Sequence, residues 1–118
     1  MKIRQGDIFW QSLREPRGSE PGYRRPCVVV QSDIFNVTAI NTVVCCALTA
    51  NLFRAQAPGN LLLRKGEGNL PRACVVNVSQ IAALSKSELT EKIGTLSKER
   101  VTEIYEGLKL LLEPRDAE

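Results

Sequence analysis

Residues 18–30 read GSEPGYRRPCVVV, and within that stretch the chain passes from a loop to a strand. The Gly, Ser and Pro positions resist regular structure, whereas Cys27, Val28, Val29 and Val30 form a valine-rich run with no polar member. Such a run reads as a strand buried on both faces. Arg24 and Arg25 stand where loop and strand meet. A guanidinium at that place keeps its charge at any working pH and offers a planar fork of donors that matches phosphate oxygens.

A second run of the same kind, TVVCCAL over residues 42–48, ends at Thr49, and DIFN over residues 33–36 reads as a turn or a single helical turn between the two. Paired buried strands of this sort make the middle of a small, strongly curved antiparallel sheet. If they are antiparallel neighbours, the start of the first and the end of the second share one edge. Arg25 and Thr49 then lie side by side, under loops formed by residues 14–24 and 51–59. A guanidinium beside a hydroxyl, walled by two loops, is a pocket for phosphate.

The remaining chain supports a mainly β reading. DIFWQSL over residues 7–13 follows Gly6 as a first strand. The segment 14–24 holds Pro16, Gly18, Pro21 and Gly22 without periodicity and is longer than a usual hairpin connection of ~2–5 residues, which marks it as either functional or disordered. Residues 60–63 form a short strand, and residues 72–78 and 80–84 two further ones. Ser85 and Glu88 match a capping box for a short helix through about residue 90, after which residues 92–96 return to the sheet around Gly94. Ser97 opens the long helix, which places Val101, Ile104, Tyr105, Leu108, Leu111 and Leu112 on one face toward the core and ends before Pro114. The expected fold is α+β and mainly β: one domain over residues 1–118, a small β-barrel closed by a C-terminal α-helix.

Composition narrows the chemistry. The net charge of +3 is too small for a polybasic binder, so any nucleic-acid contact must rest on a local cluster. The chain has no histidine, which removes Ser-His-Asp and Cys-His nucleophile systems and most zinc sites. Its four cysteines show no CxxC spacing and sit in apolar runs, where they act as small hydrophobes. No metal and no cofactor is expected. The start, MKIRQGDIFW, has no apolar leader and no run approaches the ~18 residues of a membrane span, so a cytoplasmic protein without a membrane partner is expected.

RNA supplies its own nucleophile, the 2′-hydroxyl, so cleavage without metal or histidine remains open to this chain. Arg25 could stabilise the extra charge on a phosphorane, and Thr49 could donate to a non-bridging oxygen. Glu20, ionised at neutral pH like an ordinary glutamate, either accepts a proton or pairs with an arginine. Tyr23, Phe35, Asn36 and Phe53, placed in loops, are candidates to stack on or read single-stranded bases, with Arg24 and Arg54 as neighbouring cations.

Five segments, RQGDIFW (4–10), GSEPGYRRPCVVVQ (18–31), DIFN (33–36), TVVCCALT (42–49) and VNVSQI (76–81), together with LSKSEL, Gly94 and the terminal helix, resemble the MazF/PemK family of toxin endoribonucleases. The resemblance implies an SH3-like barrel of the MazF/CcdB type that forms a homodimer. It implies the toxin of a type II toxin–antitoxin system, an mRNA interferase that cuts single-stranded RNA at short motifs without metal and leaves 2′,3′-cyclic phosphate and 5′-hydroxyl ends. It also implies a cognate antitoxin whose disordered tail occupies the RNA groove. The family's catalytic arginine before proline falls on Arg25 and its strand-closing threonine on Thr49, and Ser19 and Glu20 match the loop motif. The variant that uses aspartate and histidine is excluded by the missing histidine. Two alternatives stand beside this reading: a non-cleaving toxin of the same fold that binds a protein target such as gyrase, and a non-catalytic RNA-binding module in which Arg25 only holds phosphate.

Overall fold

In the structure, a computed structural model that describes residues 2–14 and 23–116, six strands form one antiparallel sheet. They are β1 (Asp7–Arg14), β2 (Tyr23–Val29), β3 (Thr42–Thr49), β4 (Leu61–Leu63), β5 (Cys74–Ser85) and β6 (Leu89–Thr95), in the order β4-β5-β3-β2-β1-β6. A one-turn helix α1 (Asp33–Asn36) follows β2, and the long helix α2 (Lys98–Leu112) follows β6. The sheet curls until the turn after β4 meets the opposite edge. Asn69 Nδ2 donates to the Ile93 carbonyl in β6 at 3.0 Å, and the Gly68 carbonyl lies so near Gly94 that a Cβ there would overlap it. Closure of this kind covers edges that would otherwise template aggregation.

The valine run behaves as its composition demands. Val28 packs into a core with Ile8, Cys46, Leu48, Val76, Ile104 and Leu108, while its neighbours Cys27 and Val29 pack on the other side with Phe9, Val43, Cys45 and Leu84. A strand with a core on each face can carry no polar alternation. All four cysteines are free and buried. The Cys45 thiol hydrogen-bonds Cys27, which raises Cys45 and lowers Cys27 relative to an ordinary thiol, and burial pushes Cys46 up to about 12.

Three expectations are corrected. Residues 72–78 and 80–84 are not two strands but the single β5, whose pairing with β3 jumps from Ala47↔Asn77 to Cys46↔Ile81. The intervening residues bulge, bending the strand so that one segment serves both ends of the sheet. The short helix after Ser85 is only a 3-10 turn, Lys86–Glu88. Its capping box is present, with Ser85 N donating to Glu88 Oε2 at 2.7 Å, but β6 starts at once at Leu89. The face of α2 is also divided: Ile104 and Leu108 are buried, whereas Tyr105 and Leu112 are 57% and 68% exposed. Tyr105 stands on the flank of the buried stripe, since Leu108 further along the helix is still buried, and Leu112 lies past the last buried position. No helix among the described residues is long and apolar enough to cross a membrane.

Candidate RNA-cleaving site

Strand pairing brings Arg25 and Thr49 to one rim. In the β2–β3 ladder Val29 faces Cys45, Val28 faces Cys46 and Cys27 faces Ala47. Continuing that register by two residues sets Arg25 opposite Thr49. Both line a cleft of about 480 Å³, together with Trp10, Arg24, Pro71 and Arg72. The same rim is fixed from the far side, where Val75 of β5 faces Thr49.

The polar groups of the cleft are positioned, yet not used up. Arg25 Nη1 donates to Gln80 Oε1 at 3.5 Å, a contact made available by the β5 bulge. Arg25 Nε is a buried donor with no hydrogen-bond partner among the described residues. A donor left this way costs about 1–3 kcal/mol, which an anionic oxygen entering the cleft offsets. Thr49 Oγ1 accepts from the Asn51 amide at 3.1 Å, so its own proton is free to donate elsewhere. Arg24 lies flat over Trp10 at 4.3 Å from the ring centroid, with its Nη1 3.8 Å from Glu91 Oε2. That cation–π contact holds the Arg24 charge over the ring, while the exposed ion pair adds little.

The other sequence candidates divide. Phe53 and Arg54 sit on a 3-10 turn, Leu52–Gln56, directly after the Thr49 rim, where they line a neighbouring cleft with Asn51. Phe53 is 74% exposed, a free aromatic face next to the site. Phe35 and Asn36 are not brought into the cleft. They belong to α1, beyond the other end of β2 from Arg25, and the four residue steps from Arg25 to Val29 alone span about 13 Å at ~3.3 Å per residue. Asn36 is further committed to its own turn, donating to the Gln31 carbonyl and to Asp33 Oδ1, both at 2.9 Å. Tyr23 opens β2 and pairs with Arg14. Ser19 and Glu20 lie outside the described residues. Among the described residues no group of three or more Cys, Asp or Glu side chains is arranged to hold a metal ion.

Three residues at the site escaped the sequence reading: Trp10 and Arg72, which line the cleft, and Gln80, which holds Arg25 from behind the lining. Trp10 and Gln80 are each within segments that carry the family resemblance, RQGDIFW and VNVSQI, but read there as strand residues. Arg72 stands just before β5, and only the pairing of β5 with β3 reveals that this places it at the Thr49 rim.

The sequence matches the family described as PemK-like, MazF-like toxin of type II toxin–antitoxin system over residues 4–112. It is 38% identical over 113 residues to endoribonuclease MazF2 of Mycobacterium bovis, spanning 96% of this chain and 99% of that one. The same figures hold for endoribonuclease MazF6 of Mycobacterium tuberculosis. Among solved structures, a mycobacterial endoribonuclease in complex with its cognate antitoxin superposes with a TM-score of 0.75 at 22% identity, over 97% of this chain and 99% of the other. MazF of Deinococcus radiodurans superposes with a TM-score of 0.72 at 22% identity, over the same shares. At such identities the structural likeness speaks for the fold alone.

Proposed function

This chain belongs to the PemK-like, MazF-like toxins of type II toxin–antitoxin systems, and from that membership we infer that it is an endoribonuclease acting on single-stranded RNA at the Arg25–Thr49 cleft. The observation that carries the site is the buried Arg25 Nε with no partner among the described residues, on a rim shared with a threonine hydroxyl free to donate. A phosphodiester seated there meets both groups. The RNA 2′-oxygen attacks phosphorus, and the bond from phosphorus to the 5′-oxygen breaks. One proton leaves the 2′-oxygen and one arrives at the 5′-oxygen, so the products are a 2′,3′-cyclic phosphate and a 5′-hydroxyl. Arg25 stabilises the charge that builds on the phosphorane, and Thr49 donates to a non-bridging oxygen. Glu20, with Ser19 beside it in the sequence, is our candidate for the first proton transfer. Phe53 and Arg54 extend the path as a base platform and a cation. No metal or cofactor enters this scheme.

The discriminating experiment gives the protein two RNAs in the presence of a chelator, one of them 2′-deoxy at the mapped cut site. We expect the first to be cut with the stated end groups and the second to remain whole. Cleavage of both would show that the 2′-hydroxyl is not the nucleophile and would remove this mechanism. Binding of both with cleavage of neither would leave the non-catalytic reading in its place.

The partners follow the same reading. We propose a homodimer formed through the exposed end of α2, where Tyr105, Leu110 and Leu112 flank an apolar groove of about 1170 Å³ together with Phe35 and Ile40. The groove is lined mainly by apolar side chains on an exposed helix end, the kind of surface a second copy would cover. Leu112→Glu puts a charge into it and is expected to shift the protein to monomer in sedimentation velocity, with its circular dichroism unchanged; a persistent dimer would place the interface elsewhere. We further propose a cognate antitoxin as inhibitor, a cytoplasmic location where mRNA is accessible, and one toxin domain across residues 1–118.

A further inference from the structure

The cleft holds a third arginine that neither the family motif nor the proposed chemistry uses. Arg72 lines the same cleft of about 480 Å³ as Arg24 and Arg25. It projects from the bend between Pro71 and the start of β5, three residues before Val75, the partner of Thr49. Its backbone is held by that strand: the Arg72 carbonyl accepts from the Cys74 thiol at 3.5 Å. The side chain is exposed, and Arg72 takes no part in the ion pairs formed among the described residues. Arg24, by contrast, has both Trp10 and Glu91, and Arg25 has Gln80.

Three guanidiniums lining one concavity repel one another; Glu91 offsets part of that charge at Arg24, and an anionic ligand would relieve the rest. One phosphate fits the Arg25–Thr49 pair. Arg72 lines the same cleft from the segment just before β5, within reach of a second phosphate of a strand bound at the Arg25–Thr49 pair. We propose that Arg72 is a second phosphate grip, which holds a phosphate adjacent to the scissile one and so fixes how the strand threads the cleft. Since it rests on the endoribonuclease reading, its test must separate failure of the grip from failure of that reading.

The probe is a short RNA containing the cut motif, 2′-deoxy at the cut site so that it binds without reacting. A set of such RNAs carries one neutral methylphosphonate at each position in turn. With wild-type protein, neutralising the gripped phosphate should weaken binding about tenfold. With Arg72→Ala the same substitution should cost nothing further, while substitution at the scissile position should still weaken binding. Arg72→Ala should also lower the slope of log K against log salt by about 0.7, the value for one phosphate contact on a single strand, and Arg72→Lys should restore it. On cleavable RNA, Arg72→Ala should raise KM about tenfold with kcat within twofold. If no flanking position couples to Arg72, or if coupling occurs only at the scissile phosphate, the grip is refuted. If wild-type protein neither binds nor cuts these RNAs, the endoribonuclease reading fails first and takes the grip with it.

Discussion

Arg25→Ala is expected to lower the single-turnover rate of RNA cleavage at saturating substrate by at least about 10³-fold, with the melting temperature unchanged or slightly raised. The activity term follows from what the residue supplies. A positioned donor aimed at developing charge contributes about 10²–10³-fold when it is neutral, and a charged fork that meets two oxygens contributes more. A loss of 10³ corresponds to about 4 kcal/mol of transition-state stabilisation. The stability term has the opposite sign to most substitutions of half-buried residues, because Arg25 Nε is a buried donor without a partner among the described residues. Alanine removes that donor along with its cost. Arg25→Lys keeps the charge but loses the fork, so it should recover only part of the rate. Thr49→Ala removes one neutral donor and should cost less, about 10²-fold. A variant of Arg25 that cuts RNA at the wild-type rate would end the case for this cleft as the site of reaction.

Much of this site was legible because one-dimensional pattern and two-dimensional pairing coincide at β2 and β3. Two apolar strands joined by one local connection, residues 30–41 with α1, have one simple arrangement, and Arg25 and Thr49 are the first polar residues beyond their shared apolar ladder. The misses share a cause too. Arg72 and Gln80 reach the cleft through β5, which pairs with β3 only after a long excursion and a bulge, so local sequence carries no trace of their position. Phe35 and Asn36 look like site residues because they sit in a turn near Arg25 in sequence, but β2 separates them by its whole length. The helical stripe was real, yet periodicity says only that residues share a face, not which of them the core covers.

The largest effect on stability is expected from Gly107→Ala, against the intrinsic preference of the helix. Gly107 lies within α2, where alanine would ordinarily stabilise by ~1 kcal/mol. Here the helix rests on the turn before β4, glycine against glycine. A Cβ on Gly107 would overlap the Gly59 carbonyl oxygen and stand 3.1 Å from its carbon, and a Cβ on Gly59 would come within 2.9 Å of the Gly107 carbonyl. Both obstacles are backbone, so no side chain can swing aside. Gly59 cannot easily retreat either, since its φ of +77° fixes a turn that few other conformations reproduce. The helix must therefore lift, and the residues that lift with it are Ile104 and Leu108, which seal the core containing Val28, Leu48 and Val76. Overpacking of this kind costs ~1–3 kcal/mol, at least as much as the propensity gain, and the core contacts of Ile104 and Leu108 are lost on top of it. The net expectation is a loss of about 3 kcal/mol, read as a melting temperature lower by about 10 °C. Gly66→Ala serves as the control, because Gly66 also has a positive φ, +93°, but nothing within 4 Å of its Cβ position. It should cost only ~1 kcal/mol, the conformational part alone. Equal losses at the two positions, or a Gly107→Ala protein as stable as wild type, would mean that α2 does not bear on this turn.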